Sequence, residues 1–162
     1  MIKLRIIGLL IVSLFATMVV AQVTPSTGQL APLLTLKSPE GKSFSPEKYL
    51  GQGPIVLAFF ASWSKSCQQE MAFLTQLNKK YASKGLKIIA ISFDRNSADL
   101  NSFLSGNKID FDILYDKKLK TLKDFQIMII PTLLVLDNTG IIKNTYVDFD
   151  DNVAKAVEGA IK

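Results

Sequence analysis

A chain of 162 residues, 48% of them hydrophobic, is long enough for one domain with a substantial core. Its formal charge is +5, and it contains no histidine and a single cysteine, Cys67. The missing histidine excludes Ser-His and Cys-His catalysis and histidine-ligated metal within this chain. The single cysteine excludes an internal disulfide.

The first segment reads as a leader. Lys3 and Arg5 precede an apolar run, Ile6 to Val20, broken only by Gly8, Ser13 and Thr17, and Val19-Val20-Ala21 supplies the small residues of a cleavage site. The expectation is a secretory signal over 1–21, cut after Ala21, and hence export to a periplasmic or extracellular space. The alternative is a retained membrane anchor, for which the run is short. A lipoprotein is excluded, because Cys67 lies far from the cleavage site. Without Lys3 and Arg5 the 19 basic residues fall to 17 against 14 acids, a charge of +3. The lysines are scattered among acids without interleaved aromatics, so no nucleic-acid partner is expected; Lys79, Lys80, Lys84 and Lys87 read as the solvated end of one helix.

Residues 22–29 read as a flexible lead-in, and 30–162 as the folded domain. "LAPLLTLKSPEGKSF" predicts a short hairpin turning at Pro39-Glu40-Gly41-Lys42. Ile55 to Ala61 is continuously apolar, the mark of a strand buried on both faces. A helix should begin near Ser66 or Cys67 and run to about Ser83, with Met71, Leu74, Leu77 and Tyr81 as its apolar stripe and Gly85 as its stop. A second buried strand follows over Lys87 to Phe93. Asn96 or Ser97 should cap a helix ending near Leu104, and Ile109 to Tyr115 reads as a short strand. "KKLKTLKDF" is a basic helical turn. "IIPTLLVLDNTGIIKNTYV" reads as a hairpin turning at Asp137-Asn138-Thr139-Gly140. A last helix from about Asp151 to Ile161 should turn Val153, Val157, Ala160 and Ile161 inward. This order describes an α/β domain, a mixed central sheet with helices on both faces and an N-terminal hairpin.

Three motifs in this order, "APLLTL", "VLAFFASWSKSCQQEM" and "IIPTLLVLDNTG", resemble the thioredoxin fold. More narrowly they resemble exported thiol–disulfide oxidoreductases of the TlpA/ResA kind within the AhpC/TSA redoxin group. The resemblance covers about Leu30 to Lys162. It implies that Pro131 is a cis-proline and that a redox centre lies at the start of the first long helix. In that centre a helix N-terminus stabilises an attacking thiolate, and a second cysteine one turn later resolves the mixed disulfide.

By that resemblance Ser64 occupies the attacking position and Cys67 the resolving one. A serine hydroxyl without a general base is a poor nucleophile, so ordinary dithiol exchange is expected to be weak or lost. The acid that thioredoxin buries six positions before its first cysteine is replaced by Ala58. The resemblance further assigns Trp63, Lys65, Ser66, Ile130 and Pro131 to a surface that binds protein clients or partner thiols. No cofactor and no metal is implied. Cys67 is open to two readings, a buried apolar residue or a reactive thiol beside Lys65. The second allows a single-cysteine peroxidase, with Ser64 three positions before Cys67 and Arg95 orienting the peroxide, although Phe60 stands where that motif has proline. A third possibility is a purely non-catalytic binding module. Glu70 reads as a first-turn acid complementing the helix dipole. Asp148, Asp150 and Asp151 lack the calcium-loop pattern and read as capping of the last helix. Asp94-Arg95 reads as a local ion pair, and Asp110 and Asp112 carry no motif.

Overall fold

The computed structural model describes residues 27–162. The predicted signal and most of the lead-in lie outside the described residues.

Five strands form one mixed sheet in the order β3-β2-β1-β4-β5. They span Ile55–Phe60 (β1), Lys87–Ser92 (β2), Asp112–Tyr115 (β3), Thr132–Leu136 (β4) and Ile142–Val147 (β5). β1 pairs parallel with β2 and antiparallel with β4; β2 pairs parallel with β3, and β4 antiparallel with β5. Four helices accompany them: α1 (Lys65–Tyr81), α2 (Ser97–Gly106), α3 (Lys120–Asp124) and α4 (Asp151–Ala160).

Strand alternation sorts the apolar residues into two cores. Val56, Ala58 and Phe60 of β1 join Ile88, Ala90, Leu133 and Val135 on one face, under α1, α2 and α4. Ile55, Leu57 and Phe59 join Ile89, Ile91, Leu134 and Leu136 on the other. The second face is covered by Phe125 beyond α3 and by the N-terminal segment through Leu34, Leu36 and Phe44. Helices therefore do lie on both faces, but unevenly.

The N-terminal hairpin is present in its smallest form. It survives as a turn, with Gly41 donating to the Ser38 carbonyl and Ser38 to that of Lys42, and only a single bridge, Lys37 to Ser43. The segment spends its other hydrogen bonds on the sheet's edges: Leu30 bridges Ile141, and Lys37 bridges Tyr115. Gly28 donates to the Ile142 carbonyl at 2.7 Å, so attachment to the sheet begins before Leu30. In α4, Val157 and Ile161 are buried and Val153 half-buried as expected, but Ala160 is exposed. The stripe of α1 is as predicted, with Met71, Leu74, Leu77 and Tyr81 all buried.

β1 and β2 enter the sheet through two glycines in close contact. A Cβ on Gly53 would stand 2.5 Å from the Gly85 carbonyl oxygen, and one on Gly85, at φ +96°, 2.6 Å from that of Gln52. Backbone on both sides leaves no room to yield. Gly53→Ala is expected to lower stability by at least about 1 kcal/mol in urea denaturation, whereas Gly106→Ala should stay within about 1 kcal/mol of the parent. Nothing lies within 4 Å of a Cβ at Gly106.

Candidate active site

The candidate residues converge where β1 ends. Phe59 pairs with Thr132, so the segment after β1 and the one before β4 lie side by side. The Ile130–Pro131 peptide bond is cis. After β1 the chain turns through Ala61 to Ser64, and Ser64 donates its N–H to the Ala61 carbonyl at 3.1 Å.

Ser64 is the N-cap of α1. Its backbone is extended (φ −85°, ψ 122°), and its hydroxyl accepts from the Cys67 N–H at 3.4 Å. That satisfies one of the free N–H groups at the helix start. The helix begins at Lys65, slightly earlier than predicted, because the serine at the attacking position is a good cap. Ser66 donates its hydroxyl to Asp148 Oδ1 at 2.9 Å, and Lys65 is exposed.

Cys67 is wholly buried in the core against α1, with 0% of its surface accessible. Burial pushes its thiol above the ordinary value. Hydrogen bonding to Ser64 and to the Ala61 backbone acts the other way without prevailing, while the Glu70 and Asp94 carboxyls add to the rise. A helix N-terminus alone favours a thiolate, but here desolvation prevails. Arg95, the expected peroxide-orienting residue, is an exposed residue beyond β2. A peroxidase needs an open thiolate, and this site presents a closed thiol.

Trp63 is the opposite case. It is 71% exposed at the rim of the same loop. Ile130 is half-buried, Pro131 buried, and Met128 and Ile129 beside them are 75% and 56% exposed. The Ile129 carbonyl accepts from Thr132 Oγ1, and the Pro131 carbonyl from the Asp148 N–H. The Ile130 N–H and carbonyl have no partner among the described residues.

Three acids behave differently from their sequence reading. Glu70 is not a dipole complement at the surface. It is 0% exposed, one turn after Cys67, and neither carboxyl oxygen has a hydrogen-bond partner. Burial holds its carboxyl well above the usual carboxylate range, and Asp148 pushes the same way. Burial thus favours its protonated form, one turn along α1 from Cys67. Asp94 does not pair with Arg95. Its carboxylate accepts from the Ser62 N–H and hydroxyl and from the Ser92 hydroxyl, at 3.1 and 2.7 Å, clamping the Trp63 loop to the end of β2. Asp148, at φ +63°, joins the Pro131 carbonyl to Ser66, while Asp150 alone caps α4 through Val153. Sequence offers no signal for these roles, because Ser62 lies 32 residues from Asp94 and Ser66 lies 82 from Asp148. No cluster able to hold a metal ion occurs among the described residues.

Two outcomes follow. Glu70 ionises at 4.5 in an unfolded chain and higher in the folded one, so between those values the folded state binds the extra proton. Stability is then full below pH 4.5 and falls as pH rises through that window, by up to about 1.4 kcal/mol per pH unit. Urea midpoints across pH should show this fall in the parent and a flatter profile in Glu70→Gln. Intact mass should show Cys67 unmodified by maleimide or dilute peroxide in the native protein at neutral pH and modified after denaturation.

Comparisons with known proteins agree with this geometry. Residues 27–145 match the AhpC/TSA family. The chain is 33% identical over 138 residues to the thioredoxin-like protein YneN of Bacillus subtilis, covering 83% of this chain and 79% of that one. It is 29% identical to the thiol-disulfide oxidoreductase ResA of Bacillus anthracis, over 70% of this chain and 65% of that one. Among solved structures, a Chlorobium tepidum protein assigned as the thiol:disulfide interchange protein DsbE superposes with a TM-score of 0.79 at 25% identity, over 85% of this chain and 96% of that one. StoA of Bacillus subtilis superposes with a TM-score of 0.66 at 22% identity, over 86% and 99%. With a mixed sheet, a cis-proline facing the start of α1, and these relatives, the chain belongs to the AhpC/TSA family and has the thioredoxin fold.

Proposed function

We propose that this protein is an exported thioredoxin-like module that docks an extended segment of a protein client beside Trp63 and the cis Ile130–Pro131 bond, with dithiol exchange weak or absent. One observation carries the reading: the sole cysteine is sealed beneath the helix cap while the docking surface around it is open. Cys67 is 0% exposed and Trp63 71%. The relatives' oxidoreductase names favour ancestry in thiol–disulfide exchange, and the leader segment favours export.

The chemistry agrees on both sides. Exchange needs a thiolate that can reach a client disulfide. Ser64 supplies a hydroxyl committed to capping, and Cys67 a protonated thiol behind it. Docking needs exposed apolar surface and unpaired backbone groups. Trp63, Met128 and Ile129 provide the first, and Ile130 the second. Lys65 and Ser66, on the first turn of α1, border the same surface, which suits a polypeptide with both apolar and polar side chains.

Insulin reduction by dithiothreitol gives the test. The parent should add nothing above background. Ser64→Cys should form a disulfide with Cys67 and reduce insulin measurably faster, because the cap position puts the new sulfur within one helical turn of Cys67. A parent as fast as Ser64→Cys would sink the proposal. Ser64→Cys combined with Cys67→Ala should hold insulin B chain as a stable mixed disulfide, and adding Trp63→Ala should lower the yield roughly tenfold, the scale of one lost aromatic anchor.

A further inference from the structure

Among the described residues the fold opens one sulfur to solvent and closes the others. Cys67 is 0% and Met71 1% exposed, whereas Met128 is 75% exposed, more than any other large apolar side chain described. Its backbone is held on both sides. The Ile127 N–H donates to the Leu122 carbonyl at 2.7 Å, and the Ile129 carbonyl accepts from Thr132 Oγ1 at 2.6 Å. Ile127 is buried in the core that includes Phe125, and its neighbour Met128 is turned outward. Gln126, just before them, sits at φ +52°, a conformation that a residue with a side chain keeps only where its surroundings require it. The exposure of Met128 is thus built into the path of the chain, two residues before the cis bond. With Ile129 and Val147 it lines an apolar hollow of about 40 Å³.

We infer that Met128 is the redox-responsive group of this surface: a hydroperoxide converts its thioether to the sulfoxide, and the surface then holds its client less tightly. The consequence rests on the docking reading; the chemistry does not. One peroxide oxygen bonds to Sδ while the O–O bond breaks. The sulfur is oxidised by two electrons, the peroxide is reduced, and hydrogen peroxide leaves as water. No thiolate and no general base takes part, so the step is open to a chain without histidine. A flexible apolar side chain becomes a polar, chiral one. Its oxygen is an acceptor, and covering it with a client that offers no donor costs free energy. Two thiols, acting through a methionine sulfoxide reductase, restore the thioether and leave a disulfide and water.

The other exposed apolar groups lack this chemistry. Leu30, Leu33 and Leu50, which line a hollow with Ile55 at the opposite end of β1, are 70%, 62% and 45% exposed and hold no sulfur. Redox sensing at the sheet's other pole therefore passes from a sealed cysteine to an open methionine on the same surface.

The test uses the full chain carrying Ser64→Cys, whose disulfide with Cys67 shields both sulfurs from peroxide. After excess hydrogen peroxide and its removal by catalase, peptide mass mapping should place one added oxygen on Met128 and none on Met71, Cys67 or Trp63. The parent chain, mapped in the same way, should give the same pattern. Insulin reduction by the treated Ser64→Cys protein should slow roughly fourfold, the effect of one methylene group's worth of lost apolar burial. A methionine sulfoxide reductase with dithiothreitol should restore the rate, and Met128→Leu should abolish the response to peroxide. The urea midpoint should not move, as it would if oxidation acted by loosening the fold. Oxygen found on Met71 or Trp63 with Met128 unmodified overturns the inference. So does complete oxidation of Met128 with no loss of rate while Trp63→Ala still slows the reaction, an outcome that leaves docking intact. If neither oxidation nor Trp63→Ala changes the rate, the docking reading falls with it.

Discussion

Every side chain of β1 is buried, and the site is a consequence of where that strand stops. Ile55 to Phe60 lie between β2 and β4 with a core on each face, so the strand cannot slide or tilt without exposing one of them. At its end the chain must leave the sheet, turn and start α1 within four residues. Asp94 anchors that turn from β2, Gln68 donates to the Ser62 carbonyl at 2.7 Å, and the Ser64 hydroxyl caps the helix. The antiparallel neighbour β4 brings Pro131 to the same height. Helix start, aromatic rim and cis-proline are thus held together by one strand's register.

On this frame the balance of forces at Cys67 goes against reactivity. The helix terminus and the Ser64 hydroxyl favour a thiolate, but the sulfur lies inside the core with two carboxyls nearby. Desolvation of a charge is the larger effect wherever water is excluded. The same exclusion favours the protonated form of Glu70, whose carboxyl oxygens have no hydrogen-bond partner. A buried acid without a partner, one turn along α1 from Cys67, is the kind of group that clusters at functional sites.

The molecule has two poles of different character. One presents Trp63, Met128 and Ile129 beside unpaired backbone at Ile130. The other presents Leu30, Leu33 and Leu50 where the chain enters the fold. Between them lies the length of β1, Ile55 to Phe60, so an occupant of one pole leaves the other accessible. Charge has little part in either: all four ion pairs among the described residues join lysines to acids on side chains with at least a quarter of their surface exposed, where such pairs contribute little.

Local pattern was enough for much of this. Continuous apolar runs marked β1 and β2, the 3.6-residue spacing of Met71, Leu74, Leu77 and Tyr81 marked the buried stripe of α1, and Asn96 and Asp150 acted as the caps their types favour. The stretch around Trp63 and Cys67, with the isoleucine-proline-threonine of β4, located the site, because these signals are carried by adjacent residues. Only the tertiary structure decided that Cys67 is sealed, that Glu70 is buried without a partner, that Asp94 and Asp148 tie distant loops to the site, and that Gly28 to Ala31 and Lys37 bond to the sheet edges. Each of those depends on what the rest of the chain places around a residue. Desolvation and long-range hydrogen bonding are properties of that surrounding, and no window of neighbouring letters contains it.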